Sequence, residues 1–473
     1  MNTITKSDKR ESGLDALRGF AILAMVLSGI IPYRVLPSWM YHAQLPPPDH
    51  VFNPGVPGIT WVDLVFPFFL FALGAAIPFA LNRRLNKGNP LPGITWDVIW
   101  RGILLVFFAI FLQHVRPYTL NPDPGAGTWL ISLAGFIVLF AIFLRVPSTW
   151  PSWSQPALRI SGWISAIVML WLLKYPDGSG FSLYRSDIII IVLANMAIAG
   201  ALIWLATRQN ILMRLSILGL LVALRLSSGE DGWVEPIWTA SPVPWAFKLY
   251  YLQYLFIVIP GTIAGDMLYR FMESSEEGKS ERAWGKPVYI TLTISSALLI
   301  PLMLAGLFDR HVTETLLIAV LIVVITYLLV RNEANDREQL YRNLFYWGSY
   351  FLFLGLAFEP YEGGIRKDSP TMSYYMVTTG LSFNMLLLFK LLMERFEIQK
   401  GLNLLADNGQ NPMIAYVGMM NLFLPLLALT GIDGLIRSFT AAPWAGFLRG
   451  LVYTIALAFI VQAFSRLKIY WRT

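Results

Sequence analysis

The chain of 473 residues contains no cysteine, which excludes disulfides, thiol catalysis and thiolate metal sites. Charge is scarce as well: 14% of residues are Asp, Glu, Lys or Arg, against about 25% in an ordinary soluble domain. That shortage excludes a soluble globular enzyme. Several signatures are also missing. No GxxxxGK[ST], HExxH, GxSxG or EF-hand loop occurs, so nucleotide hydrolysis, zinc peptidase, serine hydrolase and calcium chemistry have no support, and no metal is implied. Histidine occurs only four times.

Apolar residues are abundant instead. They make up 56% of the chain, with 17 Trp and a mean hydropathy of +0.57, and apolar stretches of about 20 residues, enough to span a bilayer, recur from end to end. The composition predicts an all-α polytopic transmembrane helix bundle. Windows of about 19 residues give about fourteen candidate spans, within a range of about 11 to 14, centred near 23, 71, 107, 137, 167, 196, 219, 258, 298, 321, 350, 382, 421 and 456. The fifth, seventh and ninth are the weakest. Spans of that number leave only short loops, so residues 1–473 read as one membrane domain.

The formal charge of +7 does not point to nucleic acid, because the cations lie where membrane proteins place them for orientation. Arg83, Arg84 and Lys87, then Arg270, Lys279, Arg282 and Lys286, then Arg331, Arg337 and Arg342, and finally Arg466, Lys468 and Arg472 fall in alternate loops. This bias predicts an even number of crossings with both termini cytoplasmic. The opening MNTITKSDKRES is too long and too mixed in charge for a signal-peptide start, so the first apolar run is expected to stay as an anchor helix.

Residues 32–59, expected to face outward, carry seven prolines (Pro32, Pro37, Pro46, Pro47, Pro48, Pro54 and Pro57) and two of the histidines, His42 and His50. Such a loop is stiff and holds side chains in fixed places, as a catalytic or binding loop requires, although an interfacial plug with solvated histidines has the same composition. The second span opens GITWVDLVF, with Asp63 in its first turn. A carboxylate there caps the helix. Beside a loop histidine it also orients a general base. In LDALRGF, Asp15 and Arg18 stand three apart on one helix face, as a structural ion pair or as a cation that meets the phosphates of a ligand arriving from the cytoplasm.

A second outward loop, FEPYEGGIRKDSPTMSYYMVTTG (358–380), places Arg366 and Lys367 directly after a Gly-Gly pair, a composition that suits holding an anion or polar group and equally suits a solvated rim. Further on, Asn411 precedes Pro412 at a helix start, which reads as an N-cap and as a fixed amide donor at the edge of the bundle. His114 and His311, at span ends without a partner pattern, read as interfacial.

Taken together, LDALRGFAILAMVL, then MYHAQ, then GITWVDLVFPFFLFALGAAIPF resemble the heparan-alpha-glucosaminide N-acetyltransferase family and its bacterial relatives, within the transmembrane acyltransferase superfamily. GGIRKDSPTMSYYMVTTGL and GQNPMIAYVG resemble later segments of that family. The resemblance covers blocks 12–112 and 340–425, and the stretch between them matches only weakly. It implies transfer of an acetyl group from cytosolic acetyl-CoA to an amino sugar or glycan acceptor on the extracytoplasmic side, by an integral protein of the inner membrane if the chain is bacterial. It also implies a central histidine in the first outer loop. By motif that residue is His42, in His42-Ala43. The chain departs from the family by inserting PPPDHVFNPGVP after it, which leaves His50 closer in sequence to Asp63. His42 therefore stands ahead of His50 without displacing it.

Lys367 and Asn411 carry over as substrate- or donor-binding groups and as candidates to stabilise an oxyanion. His42 would act as a general base or as the carrier of a covalent acetyl group. Because acetyl-CoA is polyanionic and cannot cross lipid, its phosphates would lie toward cytoplasmic cations. The partners implied are the acyl-CoA donor, the glycan acceptor, the lipid bilayer and, as is common in such families, a second copy of the chain. The competing class is a transporter or flippase of a sugar-linked or lipid-linked substrate. Its support is the Pro-broken spans and the intramembrane polar residues Asn195, Asp266, Asn384 and Lys390.

Overall fold

The computed structural model describes residues 10–146, 150–274 and 283–472; Lys279, Arg282 and the first nine residues, which carry part of the charge and signal-peptide readings, lie outside them. Each of the fourteen predicted centres falls inside a helix. Among the described residues, ten helices are long and apolar enough to cross a membrane: Trp61–Asn86, Leu91–Val115, Ala126–Phe143, Ile188–Thr207, Leu249–Glu273, Lys286–Phe308, Val312–Val330, Met372–Arg395, Pro412–Leu429 and Pro443–Arg466. The other four centres fall in Ser12–Ser28, Ser154–Leu172, Ile211–Ser227 and Asp336–Ala357, which are shorter or more polar.

We call Ser12–Ser28 α1 and Trp61–Asn86 α2. Glu11 starts α1 by accepting from the Leu14 amide. The core forms where α1, α2 and the helices beginning at Leu255 and Met372 meet. Glycine permits close approach: a Cβ on Gly74 of α2 would lie 2.2 Å from the Val258 carbonyl oxygen, and one on Gly409, in the helix Leu402–Gln410 that also packs on α1, would lie 1.9 Å from that of Asp15. Lipid gives helices no hydrophobic drive to associate, so such backbone-to-backbone packing carries much of the cohesion.

Two of the prolines that interrupt spans, Pro67 and Pro260, are answered from one neighbour. Proline has no N–H, so the carbonyl four residues before it leaves the helical ladder and needs another donor in a medium without water. Pro67 frees the Asp63 carbonyl, which accepts from the Tyr374 hydroxyl at 2.9 Å. Pro260 frees the Phe256 carbonyl, which accepts from the Thr379 hydroxyl at 3.2 Å. Both donors lie on the Met372–Lys390 helix, which is buried almost throughout.

The intramembrane polar residues singled out in the sequence also have structural partners. Asp266 pairs with Arg214 at 2.6 Å, and Lys390 lies 2.6 Å from both Glu11 and Glu394. Asn195 donates to the Ile191 and Ala246 carbonyls, and Asn384 to that of Gly380.

Helix α2 gives the bundle two ends. Asp63 stands in its first turn and Arg84 in its last, roughly 30 Å apart at 1.5 Å per residue. The described chain begins and finishes at the Arg84 end, where Arg10 lies within electrostatic reach of Arg472, as an even number of crossings requires.

Candidate active site

The proline-rich loop folds back onto the start of α2. Thr60 donates its hydroxyl to the Tyr41 carbonyl at 2.6 Å, while its amide donates to Asp63 Oδ2 at 2.9 Å, the return half of a capping box. The Ala43 amide adds a 3.2 Å bond to the same oxygen. Asp63, fully buried, thus holds both the helix start and the residue after His42. Its other oxygen, Oδ1, meets His42 Nδ1 at 2.7 Å as an ion-pair contact rather than a linear hydrogen bond. Capping and orienting are shared between the two oxygens of one carboxylate.

The loop that begins at Phe358 completes the group. Its Ile365 carbonyl accepts from the Gly58 amide at 2.7 Å, and Arg366 Nη1 donates to the Pro54 carbonyl at 3.3 Å. Gly364, at φ 98°, allows this approach, since a Cβ there would lie 2.8 Å from Pro57. The docking brings Asp368 Oδ2 to 2.5 Å from His42 Nε2 and Lys367 Nζ to 3.6 Å from Asp63 Oδ1. The His42 ring also lies 6.1 Å from the ring of Phe52, a residue of the inserted segment.

His42 therefore sits between two carboxylates. Burial alone would lower its pKa, but the contacts with Asp368 and Asp63 outweigh that effect and raise it. For Asp368 burial acts upward, and the hydrogen bond from His42 together with the Lys367 charge holds its carboxyl below the usual range. Asp368 belongs in this group although sequence reasoning passed over it in favour of the neighbouring cations. The available signal was its position directly after Lys367.

His50 is elsewhere in the loop. It is buried, its Nδ1 lies 3.1 Å from the Leu45 carbonyl oxygen, and its ring packs edge-on to Tyr41. Arg366 joins the two loops through backbone carbonyls, including that of Glu362, and does not contact His42. Asn411 departs from its expected role. Its amide neither caps the helix nor points to His42; it donates to the Ile469 carbonyl at 2.6 Å and accepts from the Trp471 amide at 3.2 Å, tying down the C-terminal segment. His114 is not a wet interfacial residue either, because the segment after Leu172 covers it: its Nε2 accepts from the Ser182 amide at 3.2 Å and it is fully buried. His311 is exposed.

The opposite end holds a different set. A cavity of about 480 Å³ is lined by Arg84, Arg101, Arg159 and Arg472, with Trp100 and Trp163 beside them and Asp97 as its one carboxylate. Arg84 pairs with Asp97 at 2.6 Å. Burial, together with the nearby cations Arg10, Arg18 and Arg101, pushes Arg472 down to about 10. Arg18 reaches this region from α1. It pairs with Asp15 at 3.3 Å and donates to the Gly409 carbonyl at 3.2 Å, while Asp15 also binds Arg10.

A helical membrane protein with a histidine set between carboxylates at one end of the bundle and an arginine-lined cavity at the other is the class that the fold and these groups define. The chain belongs to the family described as domain of unknown function DUF5009, whose model matches residues 10–268. It is similar to heparan-alpha-glucosaminide N-acetyltransferase from Homo sapiens, 26% identical over 195 residues, and from Mus musculus, 27% identical over 121 residues. Those alignments take in 36% and 25% of this chain and only 27% and 16% of the relatives' own lengths.

Proposed function

We propose that this protein is an integral-membrane acyltransferase that takes an acetyl group from acetyl-CoA at the Arg84 end, the cytoplasmic side, and delivers it to an amino sugar or glycan at the His42 end, the extracytoplasmic side. The observation that carries the reading is His42 fixed at 2.7 Å from Asp63 and 2.5 Å from Asp368 at the mouth of two docked loops. The similarity to a named N-acetyltransferase supports it.

The donor's phosphates suit the cavity of Arg84, Arg101, Arg159 and Arg472, where cations exceed carboxylates and two tryptophans offer flat faces to an adenine ring. Once bound, the donor supplies an activated acetyl thioester: the acceptor's N–C or O–C bond would form as the C–S bond breaks, and coenzyme A would leave as the thiol after taking up the proton. The chain's own residues handle the proton. Asp63 keeps Nδ1 of His42 protonated, leaving Nε2 as the atom that accepts the proton from the acceptor's amine or hydroxyl. Nε2 becomes available when Asp368 turns to another cation, and the ammonium form of an amino sugar is such a cation. Lys367 supplies positive charge where an oxyanion develops. A proton-accepting His42 and an acetyl-carrying His42 both need the same free Nε2.

The test incubates the purified protein with acetyl-CoA and glucosamine and looks for the acetylated sugar by mass spectrometry. Product formed by wild type and absent with His42→Ala supports the reading. No product from wild type, together with no thermal stabilisation by acetyl-CoA, overturns it.

A further inference from the structure

A second cavity, of about 330 Å³, opens at the His42 end. Its polar wall is Arg437, Arg449, Tyr118 and Tyr453, and its apolar wall includes Met420 and Leu424. Arg449 belongs to Pro443–Arg466, six residues past its start, so it lies about 9 Å along the helix. Its Nη1 donates to the Thr440 hydroxyl at 2.9 Å, and among the described residues no carboxylate lies within ion-pair distance of it. An arginine near the membrane interface without a protein anion attracts anionic headgroups. Arg437 binds Asp433 at 2.6 Å, and Tyr453 donates to the same carboxylate at 3.0 Å. The cavity therefore keeps one net positive charge.

Its surroundings say what kind of anion comes. Arg437 lies on Ile432–Phe439, a short helix with no buried residue. Ile432, Leu435 and Phe439 form one exposed stripe, 44%, 61% and 80% open, and Trp444 on the next helix is 50% open. Asp433 and Arg437 stand on the opposite side. A helix with this division lies in the membrane interface with its stripe in the acyl layer, which sets the two arginines at headgroup depth above an apolar wall.

We propose that this cavity binds the phosphate headgroup of an anionic membrane amphiphile in the leaflet at the His42 end. The site stands independently of the acyltransferase reading, but it adjoins the His42 loop. Pro32 and Tyr33 line it, and the Pro32 carbonyl accepts from the Tyr41 hydroxyl at 2.7 Å. An occupant therefore braces the segment that carries His42.

The test reconstitutes the full chain in nanodiscs of phosphatidylcholine and titrates phosphatidylglycerol, reading bound lipid by native mass spectrometry, with inorganic phosphate in detergent as a separate arm. Wild type should retain phosphatidylglycerol, and Arg449→Gln and Arg437→Gln should each bind it about tenfold less tightly, the scale of one lost charge-assisted hydrogen bond. Arg449→Lys should restore part of the binding. Equal retention by wild type and by Arg437→Gln, whose side chain lies on an exposed helix and leaves the bundle intact, would overturn the proposal. So would phosphate alone competing as well as the lipid, which would make the site one for a free anion.

Discussion

At the His42 end of the bundle the charges of the two docked loops are largely matched: His42 with Asp63 and Asp368, Arg225 with Glu362, Arg310 with Glu359. At the Arg84 end four arginines line one cavity with a single carboxylate among them. Matching fixes geometry, because each side chain is held by a partner across a loop, and a fixed histidine is what proton transfer needs. Excess cation leaves a cavity unsatisfied, and such a cavity gains most when a polyanion enters. Under the function proposed above, the two ends would serve different steps of one transfer.

If that division is right, substitutions should separate cleanly by end. The largest effect is expected from His42→Ala, which should lower kcat by about 10²- to 10⁴-fold, the usual contribution of a positioned acid–base group, while the protein stays monodisperse because His42 lies in a loop outside the helical core. Asp63→Asn should lower kcat by about 10²-fold, with little change in KM for the donor, since the ring loses its orienter and the donor cavity is untouched. Steady-state kinetics with varied acetyl-CoA reads both.

At the other end the split should reverse. Arg472→Ala or Arg101→Ala should raise KM for acetyl-CoA about tenfold, as expected for one charge-assisted contact, with kcat preserved. A fall in kcat alone would erase the distinction between the two ends.

A subtler effect concerns pH. His42 has a raised pKa, so its contacts contribute stability that is complete below 6.5, its ordinary value, and is lost as pH rises through the raised value. The lowered pKa of Asp368 contributes stability that is complete above 3.8 and is lost as pH falls through the lowered value. The docked loops should therefore be tightest between those ordinary values, whereas activity, which needs neutral His42, should rise above 6.5. Asp368→Asn removes a carboxylate that favours the imidazolium, so the acid limb of the pH–rate profile should move to lower pH.

How far these features were legible in the sequence depends on distance along the chain. Apolar windows located helices because a span must be apolar throughout its own length, and all fourteen centres fall in helices. Asp63 was legible because capping is local, and its link to the His42 loop is short-range. His42 and His50 were left as alternatives because sequence separation favours the residue that the fold turns away: the loop doubles back so that Ala43, not the neighbourhood of His50, meets Asp63. Asp368 lies 326 residues from His42, and no local pattern announces such a contact. The same limit explains Asn411 and His114. Each matched a helix-end pattern, but the C-terminal segment and the loop bearing Ser182 cover them from afar.

The most direct measurement is acetyl-CoA-dependent thiol release with glucosamine as acceptor, run side by side on wild type, His42→Ala and His50→Ala. The histidine held between Asp63 and Asp368 should be indispensable and the one facing the Leu45 carbonyl dispensable, so release should vanish with His42→Ala and stay near wild type with His50→Ala. Release retained by His42→Ala would contradict the account.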